Sequence, residues 1–379
     1  MGVRISQRIS QCTALRTNQD GGLPAAGTES SPGNSQVSKP VAADGVKRIR
    51  ILAGLLSILR IGPALILIVL ALVVWSLKPT FLSTANIQDI LIQSSVVAIL
   101  AMGELIVIIT GGIDLSVSAS MAFATVIGWT VYQTHLFHGG AYVIASMIGV
   151  GLVVGLANGL IYVKGRVPHP FIVTLATLSV ASGLALTISK GQAETGMPSV
   201  VNTLGNGFVG VVPVPAIVLV VVAIAAWWLT RNTRWGRWIY ATGGSPEAAK
   251  RVGIPVGRIQ ISVYVISGLA AGIAAVLTAG SIDGASATLA EDPVTLLNAI
   301  AGVIIGGASL FGGRGSVWNA IVGALTIGVI ENGLALQNVS PFAESIFVGA
   351  IILVAVELDV LRSVLERRIR TLRANLAAT

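Results

Sequence analysis

Charge is what this sequence has least of. Asp, Glu, Lys and Arg make up 11% of its 379 residues, whereas a soluble globular domain carries about 25%. That shortage excludes an ordinary soluble fold. Cysteine is nearly absent too. Cys12 stands alone, so neither a disulfide framework nor a Cys-based metal site can be built. The histidines are His135, His138 and His169, and none has a carboxylate or cysteine at a spacing that suits a metal or a catalytic triad. No catalytic residues and no metal site are expected. A nucleotide-binding P-loop needs Gly-Lys followed by Ser or Thr, and Gly-Lys occurs nowhere in the chain. The Gly-rich run LFGGRGS at 310–316 carries Arg314 instead, which reads as an anchor at a membrane surface. No cofactor is expected on this chain.

What the sequence has in quantity is apolar surface. Hydrophobic residues make up 54% of it, and apolar runs of about 20 residues, the length a helix needs to cross a bilayer, recur along the chain. Polar breaks separate ten such segments, near 61–78, 86–110, 116–133, 141–163, 171–189, 211–230, 260–280, 294–309, 316–336 and 342–360. The pattern predicts an all-α polytopic membrane protein with about ten transmembrane helices. An even number of crossings leaves both termini on one side. Lys47, Arg48, Arg50, Lys164, Arg166, Arg314 and the basic residues of 231–258 and 362–373 gather on that side, while Lys78 and Lys190 face Glu194, Asp283, Glu291, Asp292 and Glu344 on the other. Positive charge stays in the cytoplasm, so both termini are expected there. The net charge of +8 is explained by loops attracted to anionic lipid, and nucleic acid is not an expected partner.

Three regions follow. Residues 1–50 are rich in Ser, Gly, Gln and Thr without apolar periodicity and are expected to be a disordered cytoplasmic tail. No apolar core of a signal peptide precedes Ile51. Residues 51–361 form the transmembrane domain, and 362–379 a basic cytoplasmic tail.

The longest polar interruption inside the transmembrane domain is RNTRWGRWIYATGGSPEAAKRVGIPVGR, residues 231–258, with six basic residues against the single acidic Glu247. Its centre reads as a short helix. Ser245 is placed to cap it, Pro246 suits the first turn, and Glu247, Ala248, Ala249 and Lys250 favour helix. Gly253 and Pro255 then stop it. Such an element is either a docking surface for a protein outside the membrane or a solvated connector held near the headgroups.

Polar groups within spans need a reason, since an ionisable side chain at the bilayer centre costs about 2.5–3.5 kcal/mol on insertion scales. Glu104 is the most internal. It either lines a hydrated pathway or is neutralised between helices. Asp114, beyond the Gly111-Gly112 break and followed by Ser116 and Ser118, reads as an N-cap of the third helix, where a carboxylate meets unpaired N–H groups. Asn158, Asn298, Glu331 and Asn332 are the remaining candidates for a pathway or a structural turn, together with Gly112. Glycines recur at helical close-packing intervals, as in Gly151, Gly155 and Gly159, Gly268 and Gly272, and Gly302 and Gly306, which is how helices approach in lipid. Two internal echoes, VIITGG at 107–112 with VIIGG at 303–307 and Asn158-Gly159-Leu160 with Asn332-Gly333-Leu334, hint at a repeat.

Four stretches in order, VIITGGIDLSVSASMA (107–122), ANGLIYVKGRVPHPFIVTLAT (157–177), the 231–258 island and AIAGVIIGGASLFGGRGSVWNAIVGAL (299–325), resemble the ribose-type permeases, the membrane subunits of ATP-binding cassette (ABC) sugar importers. The resemblance runs from about Ile61 to Asp359. It implies inward passage of a monosaccharide or related polyol across a bacterial inner membrane by a homodimer. It also implies a cytoplasmic ATPase that binds the ATP and an extracytoplasmic sugar-binding protein. The family's coupling loop maps onto Gly244, Ser245, Pro246, Glu247, Ala248, Ala249 and Gly253, and its GxDLS turn onto Gly112, Asp114, Leu115 and Ser116. Ala119 and the long N-terminal tail depart from the family pattern. The rival readings are an importer of the same superfamily for branched-chain amino acids or nucleosides, and an ion-coupled carrier without ATPase in which Glu104 and Asp114 would be the coupling carboxylates.

Overall fold

A computed structural model describes residues 62–134, 139–290 and 293–378. The expected tail at 1–50 lies outside the described residues. Helix α1 (Gly62–Leu77) is followed by α2 (Thr84–Ile109), α3 (Val117–Gln133), α4 (Gly140–Lys164), α5 (Pro170–Ser189), the short α6 (Ser199–Asn206) and α7 (Val214–Asn232). The basic island folds as α8 (Arg234–Gly244) and α9 (Pro246–Arg251). The remaining helices are α10 (Val256–Ser281), α11 (Pro293–Ile305), α12 (Val317–Ala335) and α13 (Pro341–Ala378).

Six of these, α2, α4, α5, α7, α10 and α12, are long and apolar enough to cross a bilayer, and α1 and α11 are shorter apolar helices. The fold is that of a polytopic helical membrane protein. Each of the ten apolar segments read from the sequence holds a helix, with shifted ends. The segment expected at 211–230 begins with a hairpin and turns helical only at Val214, after two prolines bracketing that residue. The segment expected at 294–309 stops at Ile305, where Gly306 and Gly307 follow. Helix α13 runs on past residue 361 as one element.

Not every element was anticipated. Two short antiparallel ladders interrupt the all-α plan: β1 (Ala193–Thr195) with β4 (Gly284–Ser286), and β2 (Phe208–Val209) with β3 (Val212–Pro213). Both lie at the end of the bundle where α10 finishes. There Asp283 accepts from Met197 N–H at 2.9 Å and from the Asn202 amide at 2.6 Å, clasping α6 to the end of α10. Trp129, near the end of α3, donates its indole N–H to Thr195 O at 3.1 Å.

Helices α2 and α10 form the centre, with 78% and 67% of their most apolar windows buried, against 22% for α5 and α7. The inner pair is therefore packed on protein, while the outer helices turn apolar faces outward, as lipid-facing helices must. Helix α10 lies against α4 almost backbone to backbone. A Cβ on Gly155 would overlap the Tyr264 carbonyl, and one on Gly268 would overlap that of Gly151. On α11 and α12, Gly323 and Gly306 make equally close approaches to Gly302 and Asn319. Small residues supply the packing that hydrophobicity cannot supply between helices in lipid.

Candidate site: a buried carboxylate knot and a glycine junction

The polar candidates of the sequence fall into two groups. The first is a knot at the end of α2, where the chain turns into α3. The helix closes with a glycine-terminated turn: Gly111, at φ +82°, donates its N–H to Ile108 O at 2.9 Å, and Gly112 donates to Val107 O at 3.2 Å. This paired 5→2 and 6→1 pattern is the common way to satisfy the last carbonyls of a helix, and it needs a left-handed residue that glycine provides without strain. The turn carries Asp114 back under α2, where its N–H donates to Glu104 Oε1 at 3.1 Å.

Asp114 does not cap α3 as the sequence suggested. The helix begins at Val117 with Ser116 as its N-cap residue and without a side-chain cap. Asp114 stands two residues earlier. Its Oδ1 accepts from Ser116 N–H at 3.0 Å and from Ser116 Oγ at 2.6 Å, and its Oδ2 accepts from Ser267 Oγ of α10 at 2.8 Å. Asn158 of α4 donates to Ser116 Oγ at 2.8 Å and accepts from Thr177 of α5 at 2.6 Å. One carboxylate thus ties the start of α3 to α10, and the same chain of hydrogen bonds reaches α4 and α5. Glu104, Asp114 and Asn158 are fully or almost fully buried. A Cβ on Gly112 would come within 2.6 Å of the Tyr264 hydroxyl, so a larger residue there would push that side chain aside.

The second group lies on α11, α12 and the start of α2. Asn298 of α11 donates to Glu331 of α12 at 2.6 Å. Asn332 and Asn86 exchange two amide hydrogen bonds of 2.8 and 2.9 Å, and Asn86 also donates to Phe81 O. These pairs bind α12 to α11 and to the start of α2. Glu104, Gly112, Asp114, Ser116 and Asn158 are therefore brought together, while Asn298 and Asn332 belong elsewhere.

The internal echo at the two Gly-Gly breaks is a true local repeat. At the end of α11, Gly307, at φ +80°, donates to Ile304 O at 2.8 Å and Ala308 to Val303 O at 3.2 Å, reproducing the turn that ends α2. The loops beyond the two turns meet. Ile109 O, the last carbonyl of α2, accepts from Gly313 N–H at 2.8 Å, so the loop after α11 fills an acceptor that the α2 turn leaves open. Gly243 of α8 sits on this bond. A Cβ there would overlap Ile109 O and come within 2.6 Å of Gly313 N. Tyr240, one turn earlier on α8, donates to Gly315 O at 3.0 Å.

Helix α9 follows at once. Ser245 Oγ accepts from Ala248 N–H at 3.2 Å, Pro246 occupies the first turn, and Gly253, at φ +84°, ends the helix in the same paired pattern, with Gly253 N–H on Lys250 O and Ile254 N–H on Ala249 O, each 3.1 Å. Ala249 is buried, and Pro246, Glu247, Ala248, Lys250 and Arg251 are exposed. A six-residue helix held by its cap and its buried alanine thus presents an exposed face beside the glycine junction.

Sequence reasoning missed Ser267, Thr177, Tyr240, Gly243 and Gly313. The run SGLAAG at 267–272 signalled packing and hid a hydrogen-bonding serine. No local signal marks Gly243, because the group that requires it is a carbonyl far away in the chain.

The comparisons say what kind of protein this multi-pass helical bundle is. The family described as branched-chain amino acid transport system / permease component matches residues 86–356. A ribose import permease protein of Bacillus subtilis (strain 168) is 39% identical over 304 residues, covering 79% of this chain and 92% of the relative. A D-allose transport system permease protein of Escherichia coli (strain K12) is 38% identical over 303 residues, 79% of this chain and 90% of the relative. A fructose import permease protein of Rhizobium meliloti is 35% identical over 305 residues, 78% of this chain and 84% of the relative. The chain belongs to this permease family, in its ribose-type ABC sugar branch. It is a family of transport permeases, not of enzymes. No solved structure matches the chain.

Proposed function

We propose that this chain is the membrane subunit of an ABC importer that carries a monosaccharide or related polyol inward across a bacterial inner membrane. The observation that carries the reading is the agreement among relatives whose names specify ribose, allose and fructose import. Ten spans with both termini in the cytoplasm fit the helices and the sorting of basic residues. On this topology, α8, α9 and the glycine junction face the cytoplasm, and the Asp283 clasp faces outward. The exposed side of α9, with Gly244, Ser245, Pro246, Glu247 and Ala248 at its start and Gly253 at its end, is the docking surface for a separate ATPase that binds and hydrolyses ATP. A soluble sugar-binding protein delivers cargo to the outer face, and two copies of the chain enclose the pathway. The knot around Asp114 is a structural turn that holds α3, α4, α5 and α10 in register at the inner end of that pathway.

The test is reconstitution. Liposomes holding the chain and its ATPase, with ATP on the ATPase side and binding protein outside, accumulate labelled ribose, allose or fructose only while ATP is hydrolysed. Uptake driven by an ion gradient without an ATPase overturns the reading. The description of the matched family favours a second reading, in which the cargo is a branched-chain amino acid. Accumulation of labelled leucine with no sugar uptake would establish that reading instead.

A further inference from the structure

Four routes connect the exposed face of α9 with the buried centre. Two are covalent. The forward link into α10 passes through 252–255, where Gly253 has a positive φ and Val252 is 77% exposed. The backward link runs through Gly244, where a Cβ would meet nothing within 4 Å although its backbone lies against Gly313. A glycine in each leaves both links free to bend. The third is side-chain contact: Ile239 and Ala249 are buried, Tyr240 and Ile254 pack against the core, and Trp235 donates its indole N–H to Ser262 Oγ of α10 at 2.7 Å, all contacts in which rotamers absorb small displacements. The fourth has no side chain in it. At Gly243 the backbone that leads into the Ser245 cap rests directly on the Ile109 carbonyl and on Gly313 N, with no room for one methyl group. Close-packed backbone transmits displacement because it cannot be compressed.

That contact falls on a sensitive place. Ile109 closes α2, the most buried of the six long apolar helices. Glu104 and Asp114 of the knot lie five residues either side of it in the chain and bond to each other around the turn. Gly313 brings in the matching turn at the end of α11. A displacement of α8 and α9 at Gly243 therefore reaches the ends of α2 and, through its loop, α11 at one point. The Tyr240 hydrogen bond to Gly315 closes the junction from the other side and fixes how α8 sits on the loop.

We propose that the junction of Gly243, Gly313 and the Ile109 carbonyl is where movement of the ATPase-docking segment enters the membrane bundle, with Tyr240 as the positioning residue that keeps it seated. The inference rests on the proposed function and adds to it the residues through which force passes. It predicts that coupling can be lost while docking, folding and hydrolysis survive.

The experiment uses the complete transporter in liposomes and reads sugar moved per ATP hydrolysed, alongside retention of the ATPase on the purified complex and its melting temperature. Tyr240→Phe keeps the ring and removes one hydrogen bond, so the protein still folds. The expected result is a transport-to-hydrolysis ratio lowered about fivefold, the factor that one lost hydrogen bond of typical strength represents, with ATPase retention and melting temperature unchanged. Gly243→Ala is expected to abolish transport while the ATPase stays bound and active. Gly183→Ala, which adds the same methyl group to α5 where nothing lies within 4 Å, leaves the ratio unaltered. An unchanged ratio in Tyr240→Phe, or a parallel fall in transport and hydrolysis, overturns the proposal. Should Gly243→Ala fail to insert, Tyr240→Phe decides alone. A wild-type chain that transports without ATP removes the proposed function itself, which is a separate outcome.

Discussion

Asp114 and Ser267 stand 153 residues apart in the chain and share a 2.8 Å hydrogen bond in the buried centre. Among the described residues, no basic side chain is hydrogen-bonded to Asp114. The carboxylate is held by two serines, one of which is held in turn by Asn158. Replacing Asp114 with Ala leaves Ser116 N–H and Oγ and Ser267 Oγ without their acceptor, and each buried orphan costs about 1–3 kcal/mol. Asp114→Ala is expected to lower the melting temperature of the detergent-solubilised complex steeply. The surviving fraction keeps its sugar preference, as competition between labelled ribose and unlabelled allose will report. A variant of unchanged stability with altered preference would make Asp114 a pathway residue instead.

The α4–α10 contact gives a second prediction. At Gly155 any side chain meets the Tyr264 backbone, which cannot repack as a side chain can. Gly155→Leu is expected to cost more than the roughly 1–3 kcal/mol of ordinary overpacking and to abolish the monodisperse peak in size-exclusion chromatography. Gly183→Leu on α5, with open space around it, retains that peak.

The same contrast explains what could be read from the sequence. Apolar runs of bilayer length are a local signal, so helices were legible at all ten segments, and Ser245, Pro246 and Gly253 announced α9 because capping chemistry acts over three or four residues. Helix α8 was not seen. Its Arg234 and Arg237 made a polar island, and only the fold shows Gly236 and Ile239 buried beneath them. Glu104, Asp114, Ser116 and Asn158 stood out because polar groups in lipid are costly, but which of them touch depends on how helices cross. Ser267 was hidden by its neighbours: a hydroxyl among Gly and Ala on a close-packed face looks like packing. Asp283 shows the same limit, since Met197 lies in a loop and Asn202 in a helix of eight residues, too short to show a period.

Asp283 supplies a prediction about pH. The Met197 N–H, with the Asn202 amide, stabilises its charged form and holds its carboxyl below the usual carboxylate range. A depressed folded value means that the clasp is fully in place above the unfolded value, about 3.9, and is lost as pH falls through the folded value. Asp283 sits in the left-handed region at φ +48°, which Asn tolerates, so Asp283→Asn removes the charge without adding strain. At neutral pH the variant is expected to melt below wild type. The difference should shrink as the pH is taken below about 4. A gap that stays constant with pH would assign the clasp to backbone shape and not to charge.

The proposed docking face of α9 carries the last prediction. Glu247 is exposed in the first turn and its neighbour Ala249 is buried, so the helix can change its outer chemistry without disturbing its seat. Glu247→Arg places a positive charge where the helix dipole already puts one, at a cost of about 0.3–1 kcal/mol, which is too little to unfold the bundle. It should nevertheless weaken the hold on the ATPase and remove ATP-driven transport, because a reversed charge in a protein interface costs more than a lost contact. Gly253→Ala acts differently. It leaves the face intact but strains the left-handed turn that ends the helix, by about 1 kcal/mol or more, tilting the helix on its seat. Its expected signature is an ATPase that stays bound and hydrolyses ATP with reduced sugar uptake. The two variants thus separate docking from transmission at a single helix. If both transport at the wild-type rate with the ATPase retained, α9 is a solvated connector, and the ATPase must engage the permease through another cytoplasmic segment.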